Sequence, residues 1–266
     1  MKIGIIGIGC VGGAIFKDFK EKNIEVIIYD KYKDGGIGIL HDQLSCKIIF
    51  LCLPTQYSEL INEYDKDALK EICIYLENHN YNGLVIIKST VEPNTINKFS
   101  KIFNLKFIHN PEFLSSANAY LDFKNQKHIV IGYPNNLNKS TIQPLVKFYN
   151  NYYPDAEISI INSTESELMK LGVNNFYAVK IQFFNEIYLL SKKLDISFDI
   201  VRDTMIKNNW INIMHTQVPG NDGKLSYGGM CFPKDTNALN QFMIKNNIPN
   251  GVLNSTINER NLFRNE

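Results

Sequence analysis

The chain has 266 residues, 44% of them hydrophobic, enough to bury the core of one large or two modest domains. Its 28 lysines and arginines nearly balance 27 aspartates and glutamates, which excludes bulk-charge capture of nucleic acid or of an anionic membrane and leaves small-molecule chemistry as the expectation. The five cysteines, Cys10, Cys46, Cys52, Cys73 and Cys231, form no CxxC pair and show no metal-ligand spacing; their odd number suits a reducing, cytoplasmic setting.

Residues 2–6 are an apolar run that reads as a buried strand, so neither a signal peptide nor, further on, a membrane span is expected. Gly7, Gly9, Gly12 and Gly13 follow, then Ala14, Ile15, Phe16 and Phe19 at helical spacing. This is strand, glycine turn, helix. A second apolar run, 25–29, ends in Asp30, about twenty residues past the glycines, where a dinucleotide-binding unit carries its ribose-binding carboxylate. Gly7 makes the turn, Gly9 admits a pyrophosphate to the backbone, Gly12 lets helix and strand pack, and the helix start at Cys10 and Val11 faces the phosphates. Asp30 accepts from ribose hydroxyls and repels a 2′-phosphate, which favours NAD over NADP; Lys31 and Lys33 soften that preference.

Apolar runs at 47–53, 84–88, 106–109 and 128–132 alternate with helical patterns at 67–78, 94–103 and 138–149. Such alternation predicts an α/β fold, a Rossmann-type, doubly wound parallel sheet, over residues 1–162. Sheets of this kind bind ligands beyond the carboxyl ends of their strands, which brings Thr55, Thr90 and Glu112 to the cofactor side. Taken singly, Thr90 reads equally well as a cap ahead of a helix near Pro93, Glu112 as a solvated loop residue, and His109 as a strand-end residue without catalytic duty.

From Ser163 the pattern becomes one long helix to about Lys193, opening an all-α domain over 163–266. Leu168, Leu171, Phe176, Ala178, Ile181, Phe184 and Ile187 lie around most of its circumference, so a second copy of the chain is expected against it, as a homodimer. Lys170 and Asn174, four apart, share one face. Another helix is predicted over 196–207, a turn-rich segment follows, and helices are predicted over 236–245 and 252–263. Between them stands Gly228-Gly229-Met230-Cys231-Phe232-Pro233-Lys234-Asp235. A thiol reacts as thiolate, favoured beside a cation or a helix N-terminus. In isolation Cys231 also reads as a small buried residue in a tight loop.

The combination is more specific than its parts. The N-terminal GxGxVG, Ser89-Thr90-Val91 with Pro93 and Thr95, Asn110-Pro111-Glu112-Phe113-Leu114, Glu167-Leu168 with Lys170 and Asn174, Lys180-Ile181, Phe183, Asn185-Glu186 and the cysteine octet occur in one order over nearly the whole chain. Together they resemble the UDP-glucose/GDP-mannose dehydrogenase family. The resemblance implies NAD as cofactor and a nucleotide sugar, UDP-glucose foremost, as substrate, its C6 alcohol taken to a carboxylate in two hydride transfers. It implies that Cys231 traps the aldehyde as a thiohemiacetal that becomes a thioester, and that Lys170 and Asn174 stabilise the oxyanion. Asp235 and Thr90 would hold the water network, Glu112 would serve thioester hydrolysis, and Phe113, Leu114, Ile181, Tyr227 and Gly228 would line the substrate.

The sequence departs from the family pattern in several places. Members usually continue into a further nucleotide-holding domain; Ser116-Ala117 stands for a frequent Glu-Gly, His128 for an arginine and Ser226 for a glycine, and 208–210 hold no arginine. Two other readings share the two-domain layout: a single-step NAD-dependent dehydrogenase of the 3-hydroxyacid or 6-phosphogluconate type, which leaves Cys231 and Glu112 idle, and a truncated, non-catalytic subunit pairing through the long helix.

Overall fold

The computed structural model describes residues 1–264. By contacts the chain divides into two compact units, residues 1–56 with 64–170, and residues 57–63 with the chain from Leu171 onward.

Short strands run through the chain: β1 (Ile3–Ile6), β2 (Val26–Tyr29), β3 (Ile48–Leu51), the two-residue β4 (Tyr57–Ser58) and β5 (Glu63–Tyr64), β6 (Leu84–Ile87), β7 (Lys106–His109), β8 (His128–Tyr133) and β9 (Glu157–Asn162). The first unit is a seven-stranded sheet of order β2-β1-β3-β6-β7-β8-β9, while β4 and β5 form a separate ribbon. Its helices are α1 (Cys10–Glu21), α2 (Asp67–Asn78), α3 (Thr95–Ile102), α4 (Ala119–Lys124) and α5 (Gln143–Tyr152).

The central strands are apolar at successive positions because both faces are covered. Ile3, Ile5, Ile48, Phe50, Leu84 and Ile86 meet Ile15 and Phe19 of α1, Phe123 of α4 and Phe148 of α5 on one face. The alternate residues Ile6, Ile49, Leu51, Val85 and Ile87 meet Leu69 and Ile72 of α2 and Ile96 and Phe99 of α3 on the other. Period-two alternation of Cβ atoms thus divides one apolar run between two cores. Phe19 is fully buried, its ring 5.8 Å from Phe50 and 5.2 Å from Phe148, and such a side chain stabilises the fold by about 2–3 kcal/mol.

The expectation of a wholly parallel sheet is corrected at one junction. β7 and β8 pair antiparallel, at His109 and Gly132, and β8 and β9 run parallel to each other. The connection between them, residues 110–127, carries one short helix, α4, of six residues. The chain re-enters the sheet from the end at which β7 left it. The helix predicted over 138–149 is a 3-10 turn, Lys139–Ile142, followed by α5, with Pro144 in its first turn.

α6 (Ser163–Lys193) is one continuous helix, and the contact division falls within it, after Lys170. The second unit adds α7 (Phe198–Ile206), α8 (Phe232–Lys245) and α9 (Gly251–Phe263) around a small core of Phe184, Phe198 and Val218. Lys245, in the last turn of α8, reaches the ribbon, with Nζ 2.9 Å from Glu63 Oε1 and 3.1 Å from the Asn62 carbonyl. α8 begins at Phe232, four residues before the predicted start at Thr236, because Pro233 is tolerated in a first helical turn where its missing N–H has no intrahelical partner. No helix among the described residues is long and apolar enough to cross a membrane.

Candidate active site

In the first unit, Gly7 takes φ +90° between β1 and α1, and a Cβ there would stand 2.5 Å from the Cys52 carbonyl oxygen. A Cβ on Gly12 would meet the Gly7 carbonyl oxygen at 1.9 Å, so only glycine permits this approach of helix to turn. At Gly9, the N-cap of α1, a Cβ would meet nothing within 4 Å, and no side chain caps the helix. Cys10 and Val11 open the helix, whose first N–H groups are left for an anion.

Asp30 closes the cradle. One carboxylate oxygen accepts from Ile8 N at 2.7 Å, the other from Tyr32 N at 3.0 Å and Lys33 N at 2.9 Å, while Lys33 Nζ donates to the Ile8 carbonyl. Partial burial pushes the carboxyl up, but the N–H donors of Lys33, Ile8 and Tyr32 and the Lys33 charge outweigh it and hold the pKa below the ordinary aspartate value. An open glycine, an uncapped helix start and an ionised carboxylate after β2 fit a dinucleotide, with the pyrophosphate against α1 and a ribose at Asp30.

The carboxyl ends of the next strands are fastened to one another. Thr55 Oγ1 donates to the Thr90 carbonyl at 2.7 Å and Ser89 Oγ to the Leu53 carbonyl at 2.6 Å. Lys88, ending the apolar run of β6, is buried and donates to Asn110 Oδ1 at 3.0 Å. The Asn110-Pro111-Glu112 turn carries Glu112 to Lys170, whose Nζ is 2.6 Å from the Glu112 carbonyl oxygen and 3.4 Å from Oε1. Glu112 also accepts from Leu114 N at 2.5 Å. Phe113 lies beneath Lys170 Nζ, 5.4 Å from the ring centroid, and stacks on His128, which occupies the position noted for an arginine.

In the second unit, Cys231 is exposed and forms the N-cap of α8, a fourteen-residue helix. Asp235, one turn on, is fully buried; it accepts from Lys234 Nζ at 2.6 Å and from Asn174 Nδ2 at 2.6 Å, and its carbonyl accepts from Asn175 at 3.1 Å. Ile181 is half-buried on α6. Tyr227 is buried, its hydroxyl 3.4 Å from Thr236 Oγ1, and Gly228 follows it half-buried.

Several residues that support this segment lie outside the cysteine octet. Ser226 sits at φ +60°, a conformation that favours glycine, and is held there on every side: its N–H donates to Asn185 Oδ1 at 2.9 Å, its hydroxyl to Gln182, and its carbonyl accepts from Arg264 at 3.0 Å. Arg264 also donates to the Leu225 carbonyl at 2.7 Å and pairs with Asp222 at 2.7 Å, and Arg260 donates to the Tyr227 carbonyl at 3.3 Å. Arg260 lies in the last turn of α9 and Arg264 just beyond its end; nothing in the sequence joined them to residues 225–227. Lys88 was legible only as a charge ending an apolar strand.

Of the residues proposed from sequence, Gly7 to Gly12, Asp30, Thr55, Thr90, Glu112, Phe113, Leu114 and Lys170 belong to the first unit, and Asn174, Ile181, Tyr227, Gly228, Cys231 and Asp235 to the second. The structure brings Lys170 to Glu112, and Asn174 to Asp235.

Comparison with known proteins bears on both units. Residues 39–152 match the NAD binding domain of the UDP-glucose/GDP-mannose dehydrogenase family, and residues 164–261 match that family's central domain. A UDP-glucose 6-dehydrogenase of Rickettsia bellii is 33% identical over 208 residues, covering 73% of this chain and 44% of that protein. One of Campylobacter jejuni is 28% identical, covering 97% and 71%. The structure of a UDP-glucose dehydrogenase from the hyperthermophilic archaeon Pyrobaculum islandicum superposes with a TM-score of 0.84 at 22% identity, over 98% of this chain and 68% of that one, a likeness of fold. The chain thus spans between 44% and 71% of the length of these two curated relatives.

Proposed function

The chain belongs to the UDP-glucose/GDP-mannose dehydrogenase family, and from that membership we propose that it oxidises the C6 alcohol of UDP-glucose to the carboxylate of UDP-glucuronate, through a covalent intermediate on Cys231. The observation that carries the reading is Cys231 itself, an exposed thiol at the N-cap of α8 in a segment whose carbonyls are held by Arg260 and Arg264. NAD, when bound at the glycine turn and Asp30, supplies the hydride acceptor for each oxidation.

The chain's own groups have separate tasks in this reading. Thr90 and Asp235 hold the water that takes the proton of the C6 hydroxyl. The Cys231 thiolate adds to the aldehyde carbon, forming a C–S bond, and the resulting oxyanion is met by Lys170 Nζ and by the amide of Asn174, which has a second hydrogen beyond the one given to Asp235. Removal of the hydride from the same carbon leaves a thioester. Glu112 then takes a proton from a water whose oxygen adds to the thioester carbon, and the C–S bond breaks to return the thiolate. Phe113, Leu114, Ile181, Tyr227 and Gly228 are the proposed lining of the sugar.

Residues 1–162 would bind NAD and residues 163–266 carry the thiol chemistry and pairing. A working thiol needs a reducing compartment, so the cytoplasm is the proposed location, with the sugar acid feeding polysaccharide synthesis. The exposed stripe Phe176, Phe183 and Leu190, at intervals of seven along α6, supports a homodimer through that helix.

The test is stoichiometric. Given UDP-glucose and NAD, the chain is expected to release about two NADH per sugar. One NADH would make it a single-step dehydrogenase, and none, with a longer relative co-purifying, a partner subunit. Cys231→Ala is expected to stop the second oxidation; sugar acid at the unaltered rate would remove Cys231 as the nucleophile.

A further inference from the structure

β6 is apolar from Leu84 to Ile87, and the next residue is a lysine that is 4% exposed. An aliphatic side chain at that position would avoid the desolvation of a buried ammonium, so the lysine has to be explained by what it touches. Lys88 Nζ donates to Asn110 Oδ1, which also accepts from the hydroxyl of Tyr149 on α5. The Asn110 amide donates to the Val130 carbonyl on β8 at 2.6 Å, and its backbone N–H to the Ile87 carbonyl at 2.9 Å. Asn110 is therefore fixed from β6, β8 and α5 at once, and it is the residue from which the turn bearing Glu112 springs. Pro111 restricts the next φ, and Lys170 holds the Glu112 carbonyl at the far side of the turn.

We propose that Lys88 is a positioning residue for Glu112: its ammonium anchors Asn110, and through Asn110 it fixes the root of the turn on which Glu112 is presented. The proposal rests on the reading of Glu112 as the hydrolytic base, and it assigns Lys88 no contact with substrate. The charged and titratable groups around Lys88 are Cys52 at the end of β3, Glu112, Lys170 and His109, with the Phe123 ring of α4 5.8 Å away. Burial pushes the Lys88 amine down to about 8, against the pull of Cys52 and Glu112. The ammonium form, the stronger donor to Asn110, is thus lost as the pH rises through that value.

Two readouts test this on the intact chain. In the absence of substrate, Lys88→Met is expected to speed amide hydrogen exchange across residues 110–115 by about tenfold at unchanged NAD affinity. With UDP-glucose and NAD, the same variant is expected to lose about 100-fold in kcat with little change in KM, the size of effect that a displaced catalytic group produces. The unaltered chain should lose kcat above pH of about 8, and Lys88→Arg, whose charge persists, should remove that alkaline limb. Should Lys88→Met fail to fold, Lys88→Arg decides: an alkaline limb unchanged in position, or exchange over 110–115 like that of the unaltered chain at every pH, overturns the proposal. A folded Lys88→Met with unaltered exchange over 110–115 does so as well. Failure to oxidise any nucleotide sugar counts against the proposed function and leaves the exchange result to decide for Lys88.

Discussion

His109 ends β7 fully buried, with Nδ1 2.7 Å from Ser166 Oγ. Burial, then the charges of Lys88 and Lys170, push its pKa down from 6.5 to about 3. Above pH 6.5 the ring is neutral in both folded and unfolded chains and adds no pH dependence. As the pH falls from 6.5 towards 3, the unfolded chain takes up a proton that the folded chain refuses, so stability declines by up to about 1.4 kcal/mol per unit. His109→Gln is therefore expected to flatten the acid limb of the urea-unfolding free energy over that window while leaving neutral-pH stability less affected. Equal slopes in the two proteins would show that the ring protonates within the fold.

α3 depends on a residue far away in sequence. Its N-cap, Asn94, takes φ +75° and offers no side-chain cap; instead Glu167 of α6 accepts from Asn94 N at 2.5 Å and Ile96 N at 2.7 Å. Burial pushes this carboxyl up to about 8 against those N–H donors. Glu167→Ala takes the acceptor from the Asn94 N–H and from the buried Ile96 N–H and should cost about 1–3 kcal/mol, whereas Glu167→Gln, keeping one acceptor oxygen, should cost less; thermal unfolding of both variants measures the order. Equal stability of the alanine variant would mean that water replaces the cap. Glu167 was visible in the sequence only as part of a family motif, since no local rule connects a helix to a cap on another element. The same limit explains what else was hidden. The strands β1, β2, β3, β6 and β7 were legible because both-sided burial writes continuous apolar runs. β9, half-buried at the sheet edge, writes no such run, and α4 is too short to show helical periodicity. The start of α8 was obscured by Pro233, which reads as a breaker but serves as a first-turn residue, and that start is what makes Cys231 an N-cap.

For the whole molecule, charge is a poor candidate for assembly. With 28 cationic and 27 anionic side chains, two copies have no net attraction to gain, so any self-association must come from apolar area. α6 supplies it: Phe176, Phe183 and Leu190 are 64%, 47% and 53% exposed at a spacing of seven, the period that keeps a helical seam facing a partner. In a two-fold pair each of these side chains is buried twice, once per copy, and each burial contributes about 2 kcal/mol, so a single substitution acts doubly. The chain is expected to sediment at twice its 30.5 kDa mass, with a dissociation constant nearly unchanged from about 0.05 to 0.5 M salt, as apolar rather than ionic association requires. Phe183→Asp should give a monomer of nearly unaltered helix content, because this side chain is about half exposed and meets the Phe184, Phe198 and Val218 core through an edge-on contact with Phe184. A wild-type chain that sediments as a monomer at high concentration, or a dimer indifferent to Phe183→Asp, would mean that the stripe on α6 is covered by something other than a second copy.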